Sequence, residues 1–421
     1  MSLLTLSNEL LHLTFLSLNP EDLASLSRTN KFLHTFITTN TLLHRDIYLT
    51  HYDPPPPPQN YITLLHEVTQ LENILNNYTD TFTERRRQLY LTFVHRVVIF
   101  LLQTAKRENS GNVKRLVGYF CDGGNRDAFL CEGEASCQKR AKLSCLVGGS
   151  VDVPIKITLC PHLDDDIHSA REHVYSIRNY SRGSFWGPFR DDGSGRVDWV
   201  KTLAIVRLLG FNLSHSGERV KGEVSETWWE EFGGVTPIPW GGGMPTAGVG
   251  TPVADPYGVT GTWKRVVCFL DYTEFYAFNF NGQLGIDASQ EGESSDAILM
   301  IEMKLWVTRI DPVENGRLPV VHFKGTSTLL AVEWTAQRTS QIRGTVQETP
   351  EGEIRWTTLS IFNGEERWKS EGIQIGGLRA ARGVVGSWFH KDYDPFGPVG
   401  PSAYWKVSDE VGNLPDGFEQ D

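Results

Sequence analysis

A succession of short segments with alternating apolar and polar residues is the feature that most constrains how this chain can fold. Across residues 299–307 every second residue is apolar, and Glu302 and Lys304 lie on the opposite face, as in a half-buried strand. Residues 345–356 have the pattern of a hairpin with Pro350-Glu351-Gly352 at its turn. Further strands are predicted over residues 266–272, 320–323, 329–334, 358–362, 372–375 and 384–389. Many short strands joined by tight turns indicate an antiparallel barrel or sandwich, which we place within residues 113–407.

The composition excludes several classes of protein. The 421 residues predict two to three domains, and the 12 Trp, 21 Phe and 40 Gly favour strands with many turns. A net charge of −11 argues against a nucleic-acid partner, because phosphate binding needs a positive surface. No apolar run approaches the ~20 residues that span a bilayer, and no secretory signal is visible. We therefore expect a protein of the cytoplasm, the nucleus or both, without a membrane partner, whose six Cys are reduced or bound to metal.

Signatures of catalysis are missing from the sequence. It has no Gly-x-Ser-x-Gly elbow, no His-Glu-x-x-His motif and no phosphate-binding loop that ends in Gly-Lys-Ser or Gly-Lys-Thr. We therefore expect that this chain is not an enzyme.

The first fifty residues predict three short helices. Ser7 and Asn19 are suited to N-cap the first two, and Pro20 occupies the first position of the second. A helical piece this small cannot bury all of its apolar residues, so some must contact another surface. Five prolines at 54–58 then predict a stiff spacer, and apolar residues at helical spacing predict helices over 61–78 and 83–106. We assign 51–112 to this spacer with its linking helices, and 408–421 to an acidic, disordered tail.

The N-terminal sequence resembles the F-box, the helical segment through which substrate receptors dock onto the adaptor of cullin-RING ubiquitin ligases. The resemblance lies in two strings, LSNELL from Leu6 and LNPEDLASLSRTNKF from Leu18. The family usually has Pro where Ser7 stands and an aliphatic residue where Thr14 stands. The resemblance implies that residues 1–50 form an F-box that binds a Skp1-type adaptor and, through it, a cullin. The residues implied in adaptor binding are Leu6, Leu10, Leu11, Phe15, Leu18, Pro20, Leu23 and Leu26.

The C-terminal part also resembles known families. Gly261-Thr262-Trp263 looks like the Gly-x-Trp entry of lipocalins and related calycins, in which Trp closes one end of a barrel. Together with the strings at 186–196, 371–379 and 392–398, it is similar to a family of fungal F-box proteins, and more distantly to the animal F-box receptor that recruits cyclin D. In that animal relative a calycin-like barrel holds the C-terminal end of its targets. The fold implied is α+β, with a helical F-box and linking helices followed by a large antiparallel, calycin-like β-barrel.

Substrate contacts are expected at the aromatic-rich mouth of such a barrel. Arginine side chains there can receive a carboxylate or an acidic peptide through bidentate hydrogen bonds. The candidates are Trp186, Arg196, Trp263, Arg265 and Arg382. Each of them also fits an ordinary role in the core or on the surface.

The cysteines leave two interpretations open. Cys137, Cys145 and Cys160, followed by His168, are similar in spacing to the structural zinc site of the cyclin-D receptor. His162 is an alternative fourth ligand. The chain has no Cys-x2-Cys knuckle, so a set of reduced, partly buried thiols is the other interpretation. No other cofactor is expected.

These observations predict a non-catalytic substrate receptor of a Skp1–cullin–F-box ubiquitin ligase, which binds the adaptor through the F-box and a target protein through the β-domain. Two alternatives remain, a calycin-like protein that binds a small molecule and an F-box scaffold that acts outside the ligase. A closed barrel with a dry, aromatic-lined interior and a bound apolar ligand would favour the small-molecule binder, and an open groove that accepts a peptide would not.

Overall fold

The computed structural model of the chain describes residues 3–77, 82–106, 110–121, 137–147, 163–215, 255–280, 296–313, 317–330, 339–378, 380 and 383–412. The chain divides into two compact units, Met1–Glu132 and Gly133–Asp421, which we call unit 1 and unit 2. Among the described helices, none combines the length and the apolar character that a membrane span requires.

The regular elements described in unit 1 are all helices. After a 3-10 turn at Leu3–Thr5 come α1 (Asn8–Phe15), α2 (Pro20–Ser27), α3 (Lys31–Thr39), α4 (Thr41–His51), α5 (Tyr61–Asn76), α6 (Glu84–Gln103) and α7 (Gly111–Cys121). The helices predicted over residues 61–78 and 83–106 are confirmed by α5 and α6. The N-terminal segment contains four short helices where three were predicted, because Asn40 caps a separate α4 instead of continuing α3.

Local signals explain where the first helices begin. The Ser7 side chain accepts a hydrogen bond from the Leu10 N–H at 3.4 Å, which confirms Ser7 as an N-cap. Asn19 occupies the predicted N-cap position of α2, but its side chain does not make the capping hydrogen bond. Pro20 occupies the first turn, where a missing N–H leaves no hydrogen bond unmade.

A small apolar core holds the first helices of unit 1 together. Side chains from α1, α2 and α3 supply it, and each is at most 3% exposed: Leu11, Phe15, Leu23, Leu33 and Ile37. Nε2 of His12 lies 3.0 Å from the Asp46 carboxylate and so joins α1 to α4. The first four helices are therefore packed although they are short, and α2 and α4 also contact α5.

Helices also occupy much of the described first half of unit 2. They are α8 (Cys137–Val147), α9 (Leu163–Tyr175), a 3-10 turn (Ile177–Asn179), α10 (Trp199–His215) and, after the first strand, α11 (Tyr272–Phe280). The prediction that strand structure begins near residue 113 is therefore wrong. α10 is apolar on more than one side, so its helical period is weak in the sequence.

Eight strands form a closed antiparallel barrel in chain order. They are β1 (Gly261–Phe269), β2 (Ala297–Asp311), β3 (Val320–Leu329), β4 (Thr339–Glu348), β5 (Ile354–Phe362), β6 (Glu365–Gln374), β7 (Val384–His390) and β8 (Val399–Ser408). β8 pairs with β1, so none of these eight strands is left with a free edge. The α+β class with an antiparallel barrel is thus confirmed, and the sandwich is excluded.

The strand predictions were correct in most places. The hairpin turn at 350–352 is confirmed, since the Gly352 N–H donates to the Thr349 carbonyl at 3.0 Å between β4 and β5. Tyr272 was predicted to end a strand and instead begins α11. Residues 331–334 of another predicted strand lie outside the described residues, as do the tail from residue 413 onward and most of the acidic segment before Asp296.

Aromatic side chains fill one end of the barrel. Trp263 on β1 meets Trp356 on β5 and Tyr404 on β8, with ring centroids 5.1 and 6.1 Å away. Around them pack Met303, Leu305, Val321, Phe323, Ile342, Val346, Ile354 and Val384. Trp263 donates from Nε1 to the Val259 carbonyl at 2.8 Å, so its polar edge is satisfied inside the core. The predicted role of Trp263 at one end of a barrel is met by this packing.

A buried polar network joins the helices of unit 2 to the start of β2. The Asp296 carboxylate pairs with the Arg171 guanidinium at 2.8 Å. It also accepts hydrogen bonds from the Tyr175 hydroxyl at 2.5 Å and the Asn212 amide at 2.6 Å. Since these donors lie on α9 and α10, the network fixes both helices against the barrel.

Candidate functional site

A layer of small and hydroxyl-bearing side chains crosses the barrel next to the aromatic end. Residues two apart on a strand share a face, so Arg265 follows Trp263 into the interior of the barrel. Its Nε donates to Ser402 Oγ at 3.0 Å, and its Nη2 donates to Ser370 Oγ at 2.7 Å. By strand register Thr358 and Tyr404 face the same space. We call these five residues, Arg265, Thr358, Ser370, Ser402 and Tyr404, the Arg265 layer.

The guanidinium of Arg265 is a buried charge without a counter-ion. The side chain is 5% exposed, and among the described residues no carboxylate forms an ion pair with it. Burial lowers the pKa of Arg265 to about 10, so the group is still protonated at neutral pH. A cation held in a low-dielectric interior costs free energy unless an anion or several hydrogen bonds compensate it. The layer is therefore suited to receive an anionic group.

Unused hydrogen-bonding groups surround this charge. Within the described part of the chain, the Thr358 and Tyr404 hydroxyls are buried and have no hydrogen-bond partner. Burial raises the pKa of Tyr404, which keeps its hydroxyl protonated and able to donate. Arginine carries five N–H donors, of which the two serine contacts use only two. A carboxylate in this layer would meet several donors at once.

Aromatic rings bound the layer on both sides along the barrel axis. Trp263 and Trp356 lie on one side. On the other, Trp388 lies opposite Ser370 in the β6–β7 pairing and contacts Trp368, with ring centroids 5.1 Å apart. In the described part of the barrel interior, aromatic side chains therefore lie on both sides of a polar layer.

The structure does not bring all the predicted substrate residues together. Trp186 lies outside the barrel, buried against Phe389 and Tyr393 with ring centroids 5.5 and 5.7 Å away. Arg196 is half-buried and pairs with Asp192 at 2.8 Å. Hydrogen bonds from Ser194 and Arg196 hold the pKa of Asp192 well below its ordinary value.

Of the predicted substrate set, only Trp263 and Arg265 share a site. Arg382 lies outside the described residues. The residues that complete the Arg265 layer were missed: Thr358, Ser370, Ser402 and Tyr404. Their signal is a hydroxyl or small residue at alternate positions of three strands, which becomes visible only once the strand register is known.

The helix α8 separates two of the predicted zinc ligands. Cys137 and Cys145 are its first and ninth residues. Eight residues of α-helix rise by about 12 Å, which is too far for one zinc ion with Zn–S bonds of about 2.3 Å to bind both. The predicted zinc site thus has no geometric support within α8, and it stays a prediction.

The remaining predicted ligands do not assemble a site in the described chain. Cys145 is buried, and His168 is exposed on α9. Cys160 and His162 lie outside the described residues. Within the described residues no group of three or more His, Cys, Asp or Glu side chains is placed to hold a metal ion. A zinc site that uses one of these cysteines with Cys160 stays a prediction.

The residues implied in adaptor binding divide into two groups. Leu11, Phe15 and Leu23 are in the interior of unit 1 and hold its helices together. Leu6, Leu18, Pro20 and Leu26 are partly exposed. Leu10 is 50% exposed, and Leu13, which sequence reasoning missed, is 64% exposed.

Leu10 and Leu13 form an apolar surface on α1. Residues three apart lie on the same side of a helix, so these two side chains are neighbours. We call them the α1 patch. Their spacing is readable from the sequence, but which side of α1 faces the core is not.

Comparison with known proteins found no match: no protein-family model, no curated protein and no solved structure is similar to this chain.

Proposed function

We propose that this chain is the non-catalytic, substrate-recognition subunit of a Skp1–cullin–F-box ubiquitin ligase. Unit 1 would bind the adaptor through the α1 patch, and the barrel of unit 2 would bind the target protein. The chain would raise the rate of ubiquitin transfer by holding the target close to the charged carrier, without acid–base chemistry of its own.

The observation that carries this proposal is the α1 patch. Two leucines stand exposed on a helix whose sequence resembles the F-box, while their neighbours Leu11 and Phe15 already fill the core of unit 1. Covering the exposed parts of both leucines on a partner would contribute about 2–3 kcal/mol. In an adaptor groove these two side chains would be buried, whereas in the structure they are exposed to solvent.

The Arg265 layer supports a target with a free carboxylate. The resemblance to the cyclin-D receptor implies a barrel that holds the C-terminal end of a protein, and a C-terminus carries one such group. The layer offers a protonated guanidinium, with hydroxyls that have no partner among the described residues. Arginine binds carboxylates in a planar, bidentate manner, which fixes orientation as well as charge.

The adaptor assignment is tested by a double substitution, Leu10→Asp with Leu13→Asp. Both side chains are exposed, so unit 1 should keep its fold, while charged groups in an apolar contact should abolish co-purification of the adaptor and the cullin. Leu89→Asp is the matched control, because Leu89 is 63% exposed on α6 of the same unit. Far-UV circular dichroism checks the fold of each variant.

Adaptor recovery equal to wild type in the double variant would refute the assignment. Recovery of the adaptor without the cullin by the wild-type chain would indicate a scaffold outside the ligase.

One alternative has a specific observation in its favour. The Arg265 layer lies inside a closed barrel, which is where a small-molecule binder with this fold would hold its ligand. Native mass spectrometry of the purified protein distinguishes the two functions. A co-purified small carboxylate that prevents capture of target proteins supports the small-molecule binder, and target capture by a barrel without such a ligand supports the receptor.

A further inference from the structure

A positively charged groove crosses the outer face of the barrel. Strand register places Lys324, Arg343, Leu359 and Lys369 side by side on β3, β4, β5 and β6. The groove that contains this row encloses about 660 Å³. We call it the outer groove. Its side chains point away from the Arg265 layer, because neighbouring residues on a strand face opposite sides.

The centre of the outer groove places two like charges directly opposite each other. Lys324 on β3 pairs in register with Arg343 on β4, and both side chains are exposed. Like charges at opposite positions of an antiparallel pair destabilise a sheet. Arg343 is compensated by a very short ion pair with Glu366. Among the described residues, the side-chain ammonium group of Lys324 has neither an ion pair nor a hydrogen bond.

The other cations along the groove are each held in place. Lys369 lies 3.2 Å from the Glu371 carboxylate and donates to the Tyr393 hydroxyl at 2.6 Å. The charged residues that line the groove are Arg309, Lys324, Arg343, Lys369, Lys391, Glu366 and Asp392. Arg309 pairs with Asp311 at 3.0 Å and Lys391 pairs with Asp392 at 2.7 Å, so four carboxylates compensate four of the five cations. Among the described residues the groove therefore carries an excess of one positive charge, at Lys324, on a chain whose net charge is −11.

We propose that the outer groove binds an extended acidic segment of a partner protein. From Lys324 to Lys369 the row crosses three strand spacings, about 14 Å, which is the reach of four to five extended residues. Carboxylates of the segment would lie on Lys324 and Arg343, and the next apolar residue along the row would contact Leu359. A nucleic acid is the less suitable partner, since the remaining negative charge of the chain repels a phosphate backbone.

This binding site goes beyond the proposed function and depends on neither of its parts. The α1 patch belongs to unit 1, and the Arg265 layer faces the interior of the barrel. Variants of the outer groove therefore test this proposal alone.

The test measures binding of a labelled octapeptide of alternating Glu and Leu to the full chain by fluorescence anisotropy. A peptide with Gln in place of Glu and a single-stranded RNA octamer are the comparison ligands. We expect the Glu peptide to bind most tightly, and its affinity to fall when salt rises from about 0.05 M to about 0.3 M, since exposed charges are screened. Lys324→Glu should weaken binding about tenfold. Arg178→Glu is the matched control, because Arg178 is an exposed cation elsewhere in unit 2.

Thermal unfolding separates loss of binding from loss of structure. Lys324→Glu replaces a like-charge pair across β3 and β4 with an attractive one, so the variant should be at least as stable as wild type. The proposal is overturned if the Gln peptide or the RNA binds as tightly as the Glu peptide, or if no peptide binds. It is also overturned if Lys324→Glu binds like wild type, or if Arg178→Glu weakens binding as much.

Discussion

Arg265 is a buried cation whose cost in stability can be separated from its proposed role in binding. It is held by two serines in the barrel interior and has no carboxylate partner in the described residues. An apolar side chain of similar length would pack there without the cost of a buried charge. An anionic ligand, as proposed above, would compensate this charge.

Arg265→Met separates these two roles. The folded state should be unchanged or more stable, by up to about 4 kcal/mol, because a buried charge is removed. Capture of target proteins should be lost, since no other cation is in the Arg265 layer. Urea denaturation measures the first effect and affinity purification under proteasome inhibition measures the second. Full target capture by this variant would contradict the assignment of the layer.

Individual residues were predictable from the sequence where their role is local. Ser7 caps α1 and Pro20 opens α2 because these roles depend on a few neighbouring backbone groups. Arg265 was among the candidates, but so were Arg196 and Trp186, which lie elsewhere. The face of a strand and its neighbours are set by register, which a sequence pattern of period two does not specify.

At the scale of elements, the strand predicted over 372–375 covers only the end of β6, because the turn that precedes β6 was not recognised. Asn363 and Gly364 both have positive φ and form the tight turn between β5 and β6, a pair typical of two-residue hairpins. β8 was missed, because Gly400-Pro401 reads as a break although Pro401 pairs with Ser387. The sequence pattern thus predicts most strands and misses β8, which contains a Gly-Pro pair.

Two glycines in the barrel should respond differently to the same substitution. A Cβ at Gly364 meets nothing within 4 Å. Gly364→Ala should therefore lower the free energy of unfolding by about 1 kcal/mol, the cost of holding alanine in the left-handed backbone conformation. A Cβ at Gly386 would overlap the Glu371 carbonyl oxygen on β6, so Gly386→Ala must push β6 and β7 apart, at about 3 kcal/mol. Urea unfolding of both variants checks the order of the two costs. Equal losses of stability would contradict the close approach of β6 and β7.

At the scale of the whole molecule, the chain consists of two units with separate interiors. The core of unit 1 is formed by residues of α1 to α7, and the aromatic core of unit 2 lies inside its barrel. The sequence predicted a helical part and a barrel, but placed their boundary near residue 113. Helices in 137–215 belong to the second unit, and an amphipathic helix does not show by itself which core it covers.

We expect each unit to fold when expressed alone. Residues 1–132 should give a helical circular dichroism spectrum and residues 133–421 a mixed one, each with a single cooperative urea transition. The first fragment should keep adaptor binding and the second should keep target capture. A non-cooperative transition in either fragment, with the intact chain as reference, would show that its core depends on the other.

Closure of the barrel by its last strand has a consequence for biosynthesis. β1 begins at Gly261, yet its partner on one side, β8, ends at Ser408. The ribosome must therefore have released β8 before the barrel can close, and the Ser402 contact to Arg265 forms only then. A message with a premature stop codon upstream of β8 would encode a protein in which the helices of unit 1 can form but the barrel cannot close and the Arg265 layer stays incomplete.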